Sequence, residues 1–378
     1  MTRICLNMIV KNEAPVIARC LASVKPWIDR WVIVDTGSTD GTQALVREVM
    51  GDLPGTLHER PWIDFAHNRN EALALARAGT EGEAGANDYV LFIDADETLR
   101  MPEGFRWPRL ADDAYRFQCE LGGWQYQRNA LVKAAQPWRW EGVLHEYLTQ
   151  DAPHAWQYLA GPTIVVSRDG ARARDPQTYL RDIEVLERAL QKDPANARYC
   201  FYLAQSYRDA GQLEASLQQY QARVAMGGWE EERWFSLFQV AVLTERLAAA
   251  DVADVADNAA NSAYAPGAVR DAYLAAYQAR PARAEPLCAL ARYHRLRGEF
   301  AQAHLYAQQA AAMPCPADTL FVDTAVYAWR ALDELTVSAY YIGALAQGKA
   351  ALQKLLDEAR FPPTEGTRIQ SNRPYYGL

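Results

Sequence analysis

Apolar residues in the first hundred positions come in short unbroken runs, separated by stretches with a helical rhythm. Arg3 to Val10 is one run and Trp31-Val-Ile-Val34 a second; a weaker one spans Gly55 to Arg60, and Val90 to Ile93 is the fourth. Runs this short, β-branched and without polar alternation, predict strands of a parallel sheet covered on both faces. Between them, Val16, Ile17, Cys20, Leu21 and Val24 recur at helical spacing within 14–24. Gln43 to Met50 predicts a second helix, and Phe65 to Ala78, with Leu73, Leu75 and Ala76, a third. Such alternation predicts an α/β domain with a mostly parallel sheet. From Tyr115 the pattern changes: Tyr115–Leu121 and Gln125–Val132 alternate like strands around Gly122-Gly123, a hairpin turn. Thr163 to Val166 is a last short strand.

The stretch from Arg168 to Pro176 is polar and charged, and everything after it is helical and rich in Ala, Leu, Gln and Tyr. We therefore divide the chain into 1–170 and 171–378. Shifting the second part by 87 positions lays Leu203-Ala204, Arg208, Gly211 and Ala225-Met226 onto Leu290-Ala291, Arg295, Gly298 and Ala312-Met313. Each copy reads helix, Gly turn, helix, and resembles tetratricopeptide repeats, whose period is about 34 residues. The helices between the copies, Trp229 to Ala250, must then be irregular. Units of this kind bury their apolar faces only by stacking, which predicts a solenoid. The aromatic, Pro-rich tail from Arg360 either folds back over the first domain's cleft or frays.

Composition narrows the function classes. Half the residues are apolar and 23% charged, as in a soluble globular protein, and 378 residues suffice for two or three domains. A formal charge of −8 disfavours nucleic acid as a partner, because such binding needs a basic face. No run approaches a membrane span, and the N-terminus enters a strand pattern without a leader. Six scattered cysteines with no C-x-x-C pair suit reduced core thiols in the cytoplasm.

The candidate chemistry sits at strand ends. The run Tyr89–Ile93 stops at Asp94-Ala95-Asp96, two carboxylates one residue apart where a sheet's binding crevice lies. Standing alone, such a pair marks no more than a polar strand end. Two acids this close repel unless a cation joins them, and a nucleoside diphosphate with a divalent metal is the usual guest. The second run ends in Asp35-Thr-Gly37-Ser38-Thr-Asp40-Gly-Thr, small polar residues that open a helix N-terminus suited to a nucleotide.

Met8-Ile-Val10-Lys-Asn12-Glu13, Val34-Asp35-Thr-Gly-Ser-Thr-Asp40-Gly-Thr, Asp64-Phe-Ala-His-Asn-Arg69-Asn70 and Phe92-Ile-Asp94-Ala-Asp96 together resemble family 2 glycosyltransferases of the GT-A fold. That implies a Rossmann-like mixed sheet flanked by helices, followed here by an all-α, tetratricopeptide-like domain. The later stretch Trp138-Arg-Trp140-Glu141-Gly142-Val-Leu-His145-Glu146 is similar to the soluble S-glycosyltransferases of sublancin-type bacteriocins.

The resemblance implies roles. Met8, Val10, Asn12, Glu13, Asp35, Gly37, Ser38, Asp40, Arg69, Asp94, Ala95 and Asp96 would line the nucleotide-sugar, a UDP-sugar, with Asp35 accepting from a uracil-like N–H. Arg69 would hold either the diphosphate or the first acid of the pair. Asp96 would bind Mn²⁺ or Mg²⁺ directly, Asp94 would touch the ribose or the metal through water, and His145 would be a third ligand or lie near the diphosphate. Asp64 is either a ligand contact or a helix N-cap. Inversion at the anomeric carbon needs an acceptor-side carboxylate, for which Glu141, Glu146 and Glu120 stand in that order.

These features predict a metal-dependent inverting glycosyltransferase that is soluble and cytoplasmic. Its acceptor would be a hydroxyl or thiol on a glycan, protein or other polymer. The repeat would bind a protein partner or a second copy. The competing reading is a non-catalytic tetratricopeptide scaffold on a degenerate nucleotide-sugar-binding domain.

Overall fold

Alternation within the first strand decides how the sheet is covered. In β1 (Ile4–Val10), Ile4, Leu6, Met8 and Val10 face one side, while Cys5 and Asn7 face the other. The computed structural model, which describes residues 2–78, 88–254 and 266–378, packs α1 (Ile17–Val24) and α2 (Thr42–Met50) over the first face. Ile17, Leu21, Val46 and Met50 close that core. On the opposite face α3 (Phe65–Ala78) brings Leu73 and Ala76 against Cys5 and against Val32, Val90 and Phe92 of neighbouring strands.

β1 lies parallel between β2 (Arg30–Asp35) and β4 (Tyr89–Phe92), and β2 runs parallel to β3 (Gly55–Glu59). Beyond β4 the sheet turns mixed. β4 pairs antiparallel with β7 (Trp124–Lys133), the hairpin partner of β6 (Ala114–Leu121). β10 (Gln157–Val166) runs parallel to β6 and antiparallel to β5 (Glu97–Arg100), giving the order β3-β2-β1-β4-β7-β6-β10-β5. The Gly122-Gly123 turn has both φ angles positive, 55° and 92°, the geometry that two-residue hairpins favour. Sequence patterning missed β5, whose partner lies far along the chain, and the small hairpin β8 (Arg139–Glu141) and β9 (Tyr147–Thr149).

One polar residue breaks the apolar run of β1. Asn7 is buried, and its amide donates to Val32 O (3.2 Å) and to Ala72 O (2.9 Å). A buried amide requires such partners, and here they tie α3 to the sheet.

By its internal packing the chain divides into Met1–Pro194 and Ala195–Leu378. Two helices, α4 (Ala171–Arg174) and α5 (Thr178–Lys192), follow β10 within the first unit, so the polar stretch around residue 170 lies inside it. In the second unit, α6 (Ala197–Asp209) and α7 (Leu213–Ala225) form one helix pair, α10 (Glu285–Leu296) and α11 (Phe300–Ala311) another. These are the two copies related by the 87-residue shift. Their turns place Gly211 and Gly298 at φ 81° and 74°, where a side chain would be strained. The intervening α8 (Glu230–Asp254) is one long helix, followed by α9 (Pro266–Ala279).

The tail does not fray. After α12 (Ala331–Tyr341) and α13 (Leu345–Glu358), α14 (Pro363–Gln370) buries Ile369 in the second unit's core, and the Tyr376 hydroxyl donates to Thr336 O. Five of the six cysteines are buried and Cys315 is exposed, all as free thiols.

The second unit also buries charge. Arg223, fully buried, donates to Glu232 (2.7 Å), and Arg283 is held by Glu285 and Asp318 with its guanidinium 3.7 Å from the centre of the Trp234 ring. Removing one partner of such a pair strands the other charge out of water. Arg223→Met should therefore cost about 3–5 kcal/mol in urea unfolding followed by tryptophan fluorescence. Adding Glu232→Leu should restore most of that loss.

Candidate active site

The carboxyl ends of β1, β2 and β4 meet at one edge of the sheet, where open α/β sheets bind ligands. Asp35 closes β2 and is fully buried. Its Oδ1 accepts from the Gly37 N–H (2.9 Å), the Ser38 N–H (2.8 Å) and the Gln43 side chain (3.0 Å). Its Oδ2 is buried with no partner. Gly37, at φ 103°, turns the chain back toward that carboxylate.

Asn12, left-handed at φ 57°, lies just beyond β1; its N–H donates to Ser38 Oγ and its side-chain oxygen accepts from the Thr39 N–H, both at 2.8 Å. Asp40 accepts from the Ala14 N–H (3.0 Å) and the Thr42 hydroxyl (2.6 Å), which in turn accepts from the Glu13 N–H (2.8 Å). Asn12, Ser38 and Asp40 thus lace the two loops together. Met8 and Val10 bury their side chains in the core over α1, so neither side chain faces the crevice. Ala95 is buried as well.

A chain of alternating charges runs through the end of β4. Arg69 of α3 donates to Asp94 Oδ1 (2.7 Å) and to Glu146, and its guanidinium lies over the Trp140 ring. Arg128 of β7 reaches Asp94 Oδ2 at 3.6 Å and grips Glu97 with both nitrogens (2.7 and 2.5 Å). Glu97 also accepts from the Asp94 N–H. Of the two roles expected for Arg69, the structure has it on the first acid. Burial alone would raise the Asp94 carboxyl, but the two guanidiniums outweigh it and hold it well below the usual carboxylate range.

The Arg69 side of this chain depends on the β8–β9 hairpin. Asn70 clamps the Trp140 main chain with two hydrogen bonds (2.8 and 2.9 Å), and Arg77 donates to Gln136 O and Trp138 O. The same helix therefore supplies Arg69 and seats the hairpin that carries Glu146.

Asp96 sits differently. It is half-buried, and burial, then the Asp94 charge, push its carboxyl up. Gly170 packs against it so closely that an added Cβ would meet the Asp96 carboxylate at 3.0 Å. Nearby, Glu13 accepts from the Ala171 N–H (3.0 Å), and burial raises its carboxyl to about 7.

Among the described residues, no group of three or more His, Cys, Asp or Glu side chains is arranged around a metal position. Asp94, Asp96 and His145 accordingly do not form the expected triad: Asp94 is engaged by two arginines, and His145 is exposed in the hairpin's turn at φ 52°. The three carboxylates considered as bases are all bonded to arginines. Glu141 accepts from Arg139 (2.7 Å) and Tyr147, Glu120 pairs with Arg100, and Glu146, the most buried, pairs with Arg69. Asp64 accepts from the His67 N–H and caps α3, the other of its two readings.

Sequence reasoning missed Glu97, Arg128 and Arg19. A signal for Arg128 existed. Alternation along β7 puts it on the face shared by Tyr126 and Ala130, which pack into the core, and a charge placed inward demands a buried partner.

Residues 5–171 match the family model described as glycosyl transferase family 2. A TPR repeat-containing protein of Synechococcus elongatus is 30% identical over 275 residues, 67% of this chain and 64% of that protein. An uncharacterized glycosyltransferase of Rickettsia felis is 35% identical over 99 residues, 26% of this chain and 30% of its own. The chain thus spans less than two thirds of the length of these curated relatives. The crystal structure of S. aureus TarS 1–349 in complex with UDP covers 65% of this chain and 82% of that one, at 15% identity and a TM-score of 0.32. An overlay that loose carries no weight for the site. Residues 5–171 form a domain of glycosyl transferase family 2, and a tetratricopeptide-like helical region follows it.

Proposed function

We propose that this protein moves a sugar from a UDP-sugar to a hydroxyl or thiol of a glycan, protein or other polymer, with inversion and with help from Mn²⁺ or Mg²⁺. The observation that carries the nucleotide part is the orphaned Oδ2 of Asp35. A buried carboxylate oxygen without a donor costs free energy, and an imide N–H such as that of uracil satisfies it. Oδ1 is already fixed by three donors, so Oδ2 cannot turn to find another.

Asp96 suits a divalent cation. It is an oxygen ligand, half-buried, with its charge opposed by Asp94, while the nearby Arg19 spends its two strongest bonds on Asp169. Asp96 would hold such a cation, which would supply positive charge against the departing diphosphate. Asp94 fits only an indirect role, because its charge is already balanced. The chain's own residues supply the rest: Asp35 orients the base, the laced loops at Asn12 and Ser38 fix the crevice wall, and Arg69 holds Asp94 still.

For the acceptor's proton we favour Glu141 over Glu146. Glu141 is partly exposed, whereas Glu146 is buried against Arg69, which keeps its charge occupied. A thiol acceptor, with a pKa near 8.5 before any tuning, would ask least of this base. The repeat region is the surface we assign to a protein partner or a second copy. Among the described residues no helix is long and apolar enough to cross a membrane, and the free thiols suit the cytoplasm.

The test is incubation with Mn²⁺ and a panel of UDP-sugars, reading released UDP. Slow hydrolysis of one donor, lost in Asp96→Ala, is expected. A scaffold would instead show no hydrolysis and no thermal protection by any nucleotide. Asp35→Asn presents an amide N–H to the base and should weaken UDP by about one to two orders of magnitude in calorimetry. Glu141→Gln should lower kcat for transfer about 10²–10⁴-fold while leaving UDP affinity unchanged.

The raised Glu13 carboxyl also fixes a sign. Its proton is held more tightly in the folded protein, so its contribution to stability is complete below about pH 4.5 and is lost as pH rises through about 7. Glu13→Gln should therefore raise the calorimetric Tm at pH 8 and leave it unchanged at pH 4.

A further inference from the structure

Arg69 is committed on both sides to carboxylates, which leaves the leaving diphosphate of the proposed reaction without a guanidinium. The segment just beyond β10 supplies one. Residues Asp169–Arg174 touch three of the residues expected at the donor. Gly170 lies against the Asp96 carboxylate, the Ala171 N–H donates to Glu13 (3.0 Å), and Arg174 Nη2 donates to Asn12 O (3.1 Å).

Both ends of the segment are fastened. Arg19 holds Asp169 with two bonds (2.8 and 2.9 Å), and Arg172 holds Asp182 with two more at 2.8 Å. The guanidiniums of Arg19, Arg69, Arg128 and Arg172 are all bonded to carboxylates. Arg174 differs: its two hydrogen bonds go to main-chain oxygens, Asp169 O at 2.6 Å and Asn12 O at 3.1 Å. Exchanging neutral carbonyls for charged phosphate oxygens gains a stronger, charge-assisted bond, and a planar guanidinium fits two of them at once. The side chain is exposed, so nothing packed on it resists the move.

We infer that Arg174 is a diphosphate-binding residue, carried on a strap across the donor corner and parked on the Asn12 carbonyl until a nucleotide arrives. This rests on the nucleotide-sugar reading above. Its mark is selectivity for the diphosphate over the nucleoside.

Calorimetric titration with UDP and with uridine, in Mn²⁺, separates the two. Arg174→Ala should weaken UDP by at least about tenfold and leave uridine within about twofold. Arg174→Lys, which keeps the charge but loses the fork, should fall between, and circular dichroism confirms that both variants fold. UDP bound equally by wild type and Arg174→Ala overturns the inference alone, as does an equal loss of UDP and uridine. If the wild type binds neither UDP nor uridine, the nucleotide-sugar reading falls and takes this one with it.

Discussion

The candidate site depends on charges that hold one another in place. Glu97, Arg128, Asp94, Arg69 and Glu146 alternate in sign across β5, β7, the end of β4, α3 and the β8–β9 hairpin. Each guanidinium is shared by two carboxylates, so shifting Arg69 or Arg128 strands a largely buried acid, Glu146 or Glu97, without its partner. Elements distant in sequence are fixed to one another by this condition. It also settles how two acids one residue apart coexist. Asp94 is absorbed into the chain, and Asp96 keeps an unmatched charge beside it.

The parallel half of the fold was legible because burial on both faces leaves a plain mark, an apolar run ending at a turn. Asp35 and the loop after it were readable for the same reason: polar residues beginning where such a run stops have few other uses. β5 was not readable. Glu97-Thr-Leu-Arg is too short to show alternation, and its partner is set by a pairing that local pattern does not encode. Met8 and Val10, expected along the nucleotide-sugar, turn their side chains into the core for a simpler reason. A motif marks which residues stand near a site, but in a strand only every second side chain can face any given side.

The individual roles within the motif were harder still. Asp40 and Ser38 look like ligand groups in sequence and serve as loop fasteners in space, because hydroxyls and carboxylates near turns find backbone N–H groups first. Arg69 offered two partners on paper and has taken the acidic one. The repeat region divided the same way. Its helix-turn-helix copies were evident from small residues and Gly turns, while the buried Arg223–Glu232 pair left no periodic trace.

Asn7 carries a consequence for anyone trying to strengthen this protein. Its position sits in the middle of an apolar strand, and every rule of hydrophobic patterning would put Val or Leu there. Such a change would fill the core and release an amide from confinement, a trade that often adds stability. It would also cut the side-chain hydrogen bond from β1 to Ala72, three residues from Arg69 on the same helix. A sturdier sheet with one fewer tie to the helix that carries Arg69 is the sort of molecule that survives heating and blurs its chemistry.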